Sequence, residues 1–362
     1  MRRISLALAA LVAAALGVVA MGRAGWLEAF GGRPEVDRLR RSPHFADGKF
    51  RNLVPTRTLL PGTFWDNARR QLFQSEERVP KRPVPVVMRT AADFAVAPPG
   101  LRATWIGHAS VLLEIDGRRV LTDPIWSERC SPSTKLGPKR FHPPPVALAD
   151  LPPIDAVVIS HDHYDHLDMA TVKALQTAHF AVPLGVGAHL ARWGVAPDRI
   201  SELDWGESAQ VNGLTLTATP ARHYSGRNPL HGDETLWASW VIRGPEHRVF
   251  FTGDTGYFDG FKATGAAYGP FDLALIKIGA CHPNWEEIHM CPEDAVRAGQ
   301  DVGARLLLPV HWGTFNLAFH AWNEPAERAF LAAQKAGITL VTPRPGEFVD
   351  AARPQPPEPW WR

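Results

Sequence analysis

Apolar positions along the chain fall into three textures. From Ile4 to Met21 they form an almost unbroken run, interrupted by Ser5 and Gly17 and preceded by Arg2 and Arg3. Such a run spans about 27 Å as a helix, close to the thickness of a hydrocarbon core. A cleaved export signal has the same charged start, and Val18-Val19-Ala20 offers the small residues of a cleavage site. Residues 1–25 are therefore expected to form a signal peptide or a membrane anchor. The chain is then membrane-associated, either anchored in an inner membrane or exported to the periplasm, with the arginines staying inside. Residues 26–100 form the second texture, rich in Pro and Arg with little periodicity, and predict an irregular arm laid over a main domain.

From residue 101 the pattern changes to short apolar segments. Arg102 to Ile115 alternates as a strand does, Asp116-Gly117 is a hairpin turn signal, and Arg118 to Leu121 returns. Further strands are predicted at Ala156–Ser160, Leu214–Thr219, Trp237–Ile242, Val249–Thr252, Leu273–Ile278 and Arg305–Val310. Helical spacing covers roughly 168–178, 186–193, 292–302 and 324–336, the third opened by Pro292 with Glu293 and Asp294 in its first turn. Strands and helices interspersed in both halves predict a layered α/β domain over 101–350, followed by a Pro/Trp-rich tail, 351–362.

Composition narrows the chemistry. A formal charge of +2 gives no basic surface for wrapping nucleic acid. Three cysteines, Cys130, Cys281 and Cys291, cannot build a disulfide framework. Cys281 and Cys291 can pair in an oxidising compartment, but unpaired, partly buried thiols are the weightier expectation. Trp360 and Trp361 in the tail either pack in the core or rest at a bilayer interface, where Trp is enriched.

Histidine carries the candidate chemistry. His161-Asp162-His163-Tyr164-Asp165-His166 directly follows a predicted strand. Residues two apart in extended chain point the same way, so His161 and His163 can converge on one metal ion. Asp165 and His166 then lie where the chain turns and can address a second. Imidazole and carboxylate are both ligands that zinc accepts. His223, Asp254 and His311 each stand just past a predicted strand, where short loops on a rim can assemble a site. Gly253 and Gly256 flank Asp254, as a loop approaching a metal closely requires.

These segments resemble the metallo-β-lactamase superfamily, and within it the N-acylphosphatidylethanolamine-hydrolysing phospholipase D family. The likeness rests on Thr122-Asp-Pro-Ile-Trp-Ser127, Gly137-Pro-Lys-Arg-Phe141, Leu151-Pro-Pro-Ile-Asp-Ala-Val-Val-Ile-Ser-His161 and Glu202-Leu-Asp-Trp205. It continues in Phe250-Phe-Thr-Gly-Asp-Thr-Gly-Tyr257, Gly269-Pro-Phe-Asp-Leu273 and His311-Trp-Gly-Thr-Phe315. The resemblance implies a four-layer αββα sandwich with two metals at its rim. His161, His163 and His223 would hold the first zinc and Asp165, His166 and His311 the second, with Asp254 bridging; other divalent metals fit the same donors. His289, in His289-Met-Cys-Pro-Glu-Asp294, matches a family histidine near the substrate. The implied catalytic residues are Asp165, Asp254 and His289, and the implied reaction is attack of a metal-bridging hydroxide on a phospholipid or other phosphodiester. Tyr164, Lys139 and Arg140 are candidate substrate contacts, the two cations toward anionic head groups at a membrane surface. A lactonase or another ester or amide hydrolase could use the same scaffold, and a membrane-tethered protein that binds metal without turnover is the non-enzymatic alternative. Oligomeric state is not legible.

Overall fold

The computed structural model describes residues 25–73, 76–228 and 230–362, so the apolar segment expected to be a signal or anchor lies outside the described residues. Among those residues no helix is long and apolar enough to cross a membrane. Two seven-stranded sheets face each other. The first contains β1 (Leu101–Gly107), β2 (Ser110–Ile115), β3 (Arg118–Thr122), β4 (Ala156–Val158), β5 (His179–Pro183) and β6 (Ile200–Leu203), with the late strand β14 (Phe348–Asp350) on the free edge of β1. The second runs β7 (Ser208–Val211), β8 (Leu214–Thr219), β9 (Ser239–Arg243), β10 (Arg248–Phe251), β11 (Leu273–Lys277), β12 (Leu306–Val310) and β13 (Thr339–Leu340) in spatial order.

In the first sheet β14, β1, β2 and β3 pair antiparallel and β3 to β6 parallel; in the second β7 to β10 pair antiparallel and β10 to β13 parallel. Alternation sorts the side chains. Val111, Leu113 and Ile115 of β2 enter the core between the sheets, whereas Leu112 faces the outer layer with Val157, Phe180 and Val182. That outer layer is α2 (Met169–Ala174) and α3 (Gly187–Arg192), which bury Val172 and Leu190. On the other side α5 (Pro292–Asp301) and α6 (Glu324–Ala336) cover the second sheet with Ala295, Ala298, Ala329 and Ala333, small residues that allow close packing. Between β10 and β11 lies α4 (Gly260–Tyr268). The fold is a four-layer αββα sandwich.

Three expectations need correction, and one open alternative, the placement of the tail tryptophans, closes in favour of packing. The stretch 102–115 is two strands, because Gly107 and His108 adopt positive φ and turn the chain back after a register shift near Trp105. The helix expected over 168–178 ends at Ala174; Asp168 caps it by accepting from the Ala170 amide, and the chain leaves at once for β5. Cys281 and Cys291 form a disulfide across Cα atoms 4.9 Å apart, while Cys130 is a buried free thiol. In the tail, the Trp360 ring stacks on Trp312 at 5.1 Å, and buried Trp361 donates its indole N–H to Glu327, so the residues offered to a bilayer are packing residues.

The amino-terminal segment contains α1 (Phe64–Leu72) and the small hairpin Phe45–Ala46/Lys49–Phe50. It is tied to the sandwich through the Phe50 amide to the Asp233 carbonyl and the Leu60 amide to the Asn284 carbonyl.

Candidate metal centre

The loops that carry the candidate ligands all leave the carboxyl ends of strands. His161 to His166 follow β4, His223 follows β8, Asp254 follows β10 and His311 follows β12. Sheets brought face to face collect these ends on one rim, which is how residues some 150 positions apart come within contact. Ligand atoms of His161, His163 and His223 lie within 4.8 Å of one another, as do those of His108, Asp165, His166 and His311. Asp254 stands between the groups. Its Oδ2 is 3.3 Å from His166 Nε2, 3.1 Å from His311 Nε2 and 4.0 Å from His223 Nε2. All seven residues singled out as ligands converge on this one pocket.

Backbone conformation is shaped to allow it. His311 has φ of 64°, a left-handed conformation that costs a non-glycine residue energy and marks an imposed geometry. Its carbonyl approaches Gly279 so closely that a Cβ there would meet the oxygen at 1.9 Å. Gly253, beside Asp254, has φ of 55°, and a Cβ would strike the Ser160 side chain.

The cluster forms the floor of a cavity of about 610 Å³. His289 lies on its wall, with Nδ1 3.7 Å from Asp254 Oδ2. Tyr164 also lines it, but its hydroxyl is committed to the Arg227 carbonyl, leaving the ring to face the cavity. Leu59, Trp285, Ile288 and Leu317 make the remaining wall largely apolar. Lys139 and Arg140 do not line this cavity. Exposed Lys139 pairs with Glu128 at 2.7 Å, and Arg140 is buried with its guanidinium donating to the carbonyls of Ile125 and His142. A guanidinium spent on backbone carbonyls cannot also grip a head group.

Comparison with known proteins agrees with this architecture. Residues 118–312 match the family described as the β-lactamase superfamily domain. An uncharacterized protein of Mycobacterium tuberculosis is 53% identical over 334 residues, covering 89% of this chain and 88% of its own. N-acyl-phosphatidylethanolamine-hydrolyzing phospholipase D 1 of Caenorhabditis elegans is 42% identical over 255 residues, covering 67% of this chain and 71% of the worm protein. The chain belongs to the N-acylphosphatidylethanolamine phospholipase D-like family of the metallo-β-lactamase superfamily. It is a metal-dependent hydrolase of that superfamily. A solved isothiocyanate hydrolase from Delia radicum gut bacteria shares the fold, with a TM-score of 0.55 at 23% identity over 69% of this chain and 98% of that one.

Electrostatics in this hydrolase pocket are those of a cation site. Burial opposes ionisation of Asp165 and Asp254, yet the surrounding imidazoles hold both carboxyls well below the usual range. Reciprocally, burial alone would pull His166 down, and the carboxylates of Asp254, Asp165 and Asp123 drive it well above the ordinary imidazole value. A buried carboxylate, Asp254, beside a half-buried one, Asp165, demands positive charge, supplied either by imidazolium protons or by metal ions that displace them. His166 Nε2 and Asp254 Oδ1 are buried without a hydrogen-bond partner, donor atoms of the type divalent zinc takes.

Three participants escaped sequence reasoning. Asp123, fully buried after β3, accepts from the Ser160 amide, the Ser160 hydroxyl and His166 Nδ1 at 2.6–2.7 Å, which fixes His166 with Nε2 toward the pocket. It lies within the Thr122-to-Ser127 segment that carried the resemblance, and a carboxylate at a strand end was its signal. His108 reaches Asp165 Oδ2 at 2.9 Å and its ring lies 4.0 Å from that of His311. Nothing marked it, because it sits inside an alternating stretch. The third, Asn52, stands in the amino-terminal segment and bonds the main chain of His223, a reach that no local pattern signals.

Proposed function

We propose that this protein is a zinc-dependent phosphodiesterase of phospholipase D type acting on N-acylphosphatidylethanolamine-like lipids. The observation that carries the reading is Asp254 standing between two histidine-rich groups on the floor of a cavity with apolar walls. His161, His163 and His223 would hold one ion, Asp165, His166 and His311 the other, and Asp254 would serve both. When bound, two such ions lower the pKa of a water and polarise a phosphoryl oxygen.

The chain's own residues then do the rest. Asp165 and Asp254 stay ionised and fix the positive charge where the phosphoryl group must sit. His289 is held neutral, first by burial and then by the ammonium of Lys277. Among the described residues its Nδ1 has no hydrogen-bond partner, with Asp254 Oδ2 3.7 Å away, so the ring is free to offer a hydrogen bond to a developing oxyanion or a departing alcohol. Acyl chains would find room against Leu59, Ile288 and Leu317. The relative from C. elegans, named for this hydrolysis, supports the substrate class.

A lipid surface as partner is supported beside the mouth. Phe64, Trp65 and Phe73, on and just after α1, are 64%, 78% and 73% exposed, and Leu59, five residues before Phe64, lines the cavity. The Cys281–Cys291 disulfide suits an oxidising compartment and supports export. The test is turnover with N-acylphosphatidylethanolamine vesicles and bis(p-nitrophenyl) phosphate, set against a homoserine lactone and nitrocefin. Phosphodiester hydrolysis lost to a chelator and restored by zinc is expected. Lactone or β-lactam turnover without phosphodiester turnover would replace this reading with the carbonyl chemistry of the same scaffold. Bound metal without turnover across the panel would leave a binding protein.

A further inference from the structure

His223 differs from its neighbours in what holds it. His161 lies three residues past β4, but Ile159 and Ser160 before it still bond as a strand does: the Ile159 amide donates to the Ala181 carbonyl, and the Ser160 carbonyl accepts from the Ala238 amide. His223, by contrast, lies four residues past the end of β8 in a segment without regular structure. Its ring is fixed on one side by the Ile288 carbonyl, 3.0 Å from Nδ1, which leaves Nε2 for the pocket. Its main chain is fixed from the other side by a single side chain of the amino-terminal segment. Asn52 Nδ2 donates to the His223 carbonyl at 2.7 Å, and the His223 amide donates to Asn52 Oδ1 at 3.0 Å. The Trp237 indole N–H also donates to Oδ1, at 3.1 Å. Two donors converging on one atom require that atom to be the oxygen, so the orientation of the carboxamide is set by its partners.

A primary carboxamide carries an N–H donor and a C=O acceptor side by side, so it pairs with the C=O and the N–H of one residue as a neighbouring strand would. Asn52 itself is seated by Phe50, which is buried with Leu184, Ala221, Leu236 and Trp237, residues of the loops flanking His223.

We propose that Asn52 is a positioning residue for the metal site: it supplies the strand pairing that His223 lacks and so sets the direction of its Nε2. It lies outside residues 118–312, the segment matching the superfamily domain, so the amino-terminal segment is a working part of the centre rather than a covering. This rests on His223 being a ligand, as proposed above.

The test uses the full chain as wild type, Asn52→Ala, Asn52→Asp and His223→Gln. Zinc affinity is read by competition with a chromophoric chelator, geometry by the visible spectrum of the cobalt-substituted protein, and melting temperature on apo and loaded samples. Asn52→Ala is expected to weaken zinc binding about 10–100-fold, the range for residues that orient a ligand, and to alter the cobalt bands. The loaded protein should lose more melting temperature than the apo protein. Asn52→Asp keeps the acceptor for the His223 amide but loses the donor to its carbonyl, so an intermediate loss is expected; it also provides the reading should the alanine variant fail to fold. Affinity within twofold of wild type, with apo and loaded melting points falling equally, would reduce Asn52 to a brace and overturn the proposal. A His223→Gln variant that keeps wild-type metal content and affinity would instead overturn the ligand assignment, whatever Asn52 does.

Discussion

The two sheets contribute to the metal pocket in different ways. The rim of the first sheet is local. His161, His163, Asp165 and His166 fall within six consecutive positions after β4, and their support, Ser160 and Asp123, comes from the same strand end and the adjacent one. The rim of the second sheet is assembled at a distance. His223, Asp254, His289 and His311 come from four loops, and they are steadied by Asn52, by the Ile288 carbonyl and by a segment closed between Cys281 and Cys291. One rim is encoded as a motif and the other as tertiary structure. Damage to the first should therefore act through the ligands and their immediate supports, whereas the second can be loosened from many places.

The largest effect is expected where the two rims meet. Asp254→Asn removes the charge facing both groups, and turnover of bis(p-nitrophenyl) phosphate should fall by a factor of about 10³ or more while circular dichroism stays native. Near-normal rates would dissolve the idea of a shared centre. His289→Ala probes the second rim alone. Hydrolysis should drop by about 10²–10³ with metal content unchanged, as for loss of one oxyanion donor. Unchanged activity would remove His289 from the mechanism, and lost metal would make it a ligand. Asp123→Ala probes the first rim alone. The His166 ring loses its orienting acceptor, and metal affinity should weaken about 10–100-fold. Affinity equal to wild type would mean that the strand end alone fixes His166.

The same division explains what could be read from the sequence. α5 and α6 were legible nearly to the residue because Pro292 and Pro325 stand in their first turns and small apolar residues repeat at helical spacing. The 161–166 loop was legible because its candidate ligands are close in sequence. His108 was not, because a turn inside an alternating stretch leaves the apolar period almost intact until φ changes sign. Nor were β5, β6 and β7, short strands whose partners lie elsewhere in the chain. The Cys281–Cys291 pairing and the reach of Asn52 to His223 depend on separations that no local pattern reports. What sequence spacing cannot carry is the support of the second rim.

Lys277 sharpens the comparison by the smallest margin and has the clearest sign. It ends β11 beneath the second rim, wholly buried, with its ammonium donating to the Met290 carbonyl at 3.2 Å. Burial lowers its pKa from 10.5 to about 7, against the opposing pull of the Asp254 carboxylate. The unfolded chain therefore holds more protons than the folded one between about pH 7 and 10.5, and the linkage relation makes stability rise with pH across that window. Lys277→Met removes this dependence. At pH 7 the relief of burying an ammonium is worth up to about 5 kcal/mol, and the orphaned Met290 carbonyl takes back about 1–3 kcal/mol. The variant should thus be more stable than wild type at pH 7 by up to about 2–4 kcal/mol. The advantage should shrink as pH rises and reverse near pH 10, where only the lost hydrogen bond remains. Urea unfolding at pH 7, 8.5 and 10 reads it directly. A difference that does not change with pH would show that Lys277 keeps its proton in the fold, and that the segment bearing His289 rests on a charged support.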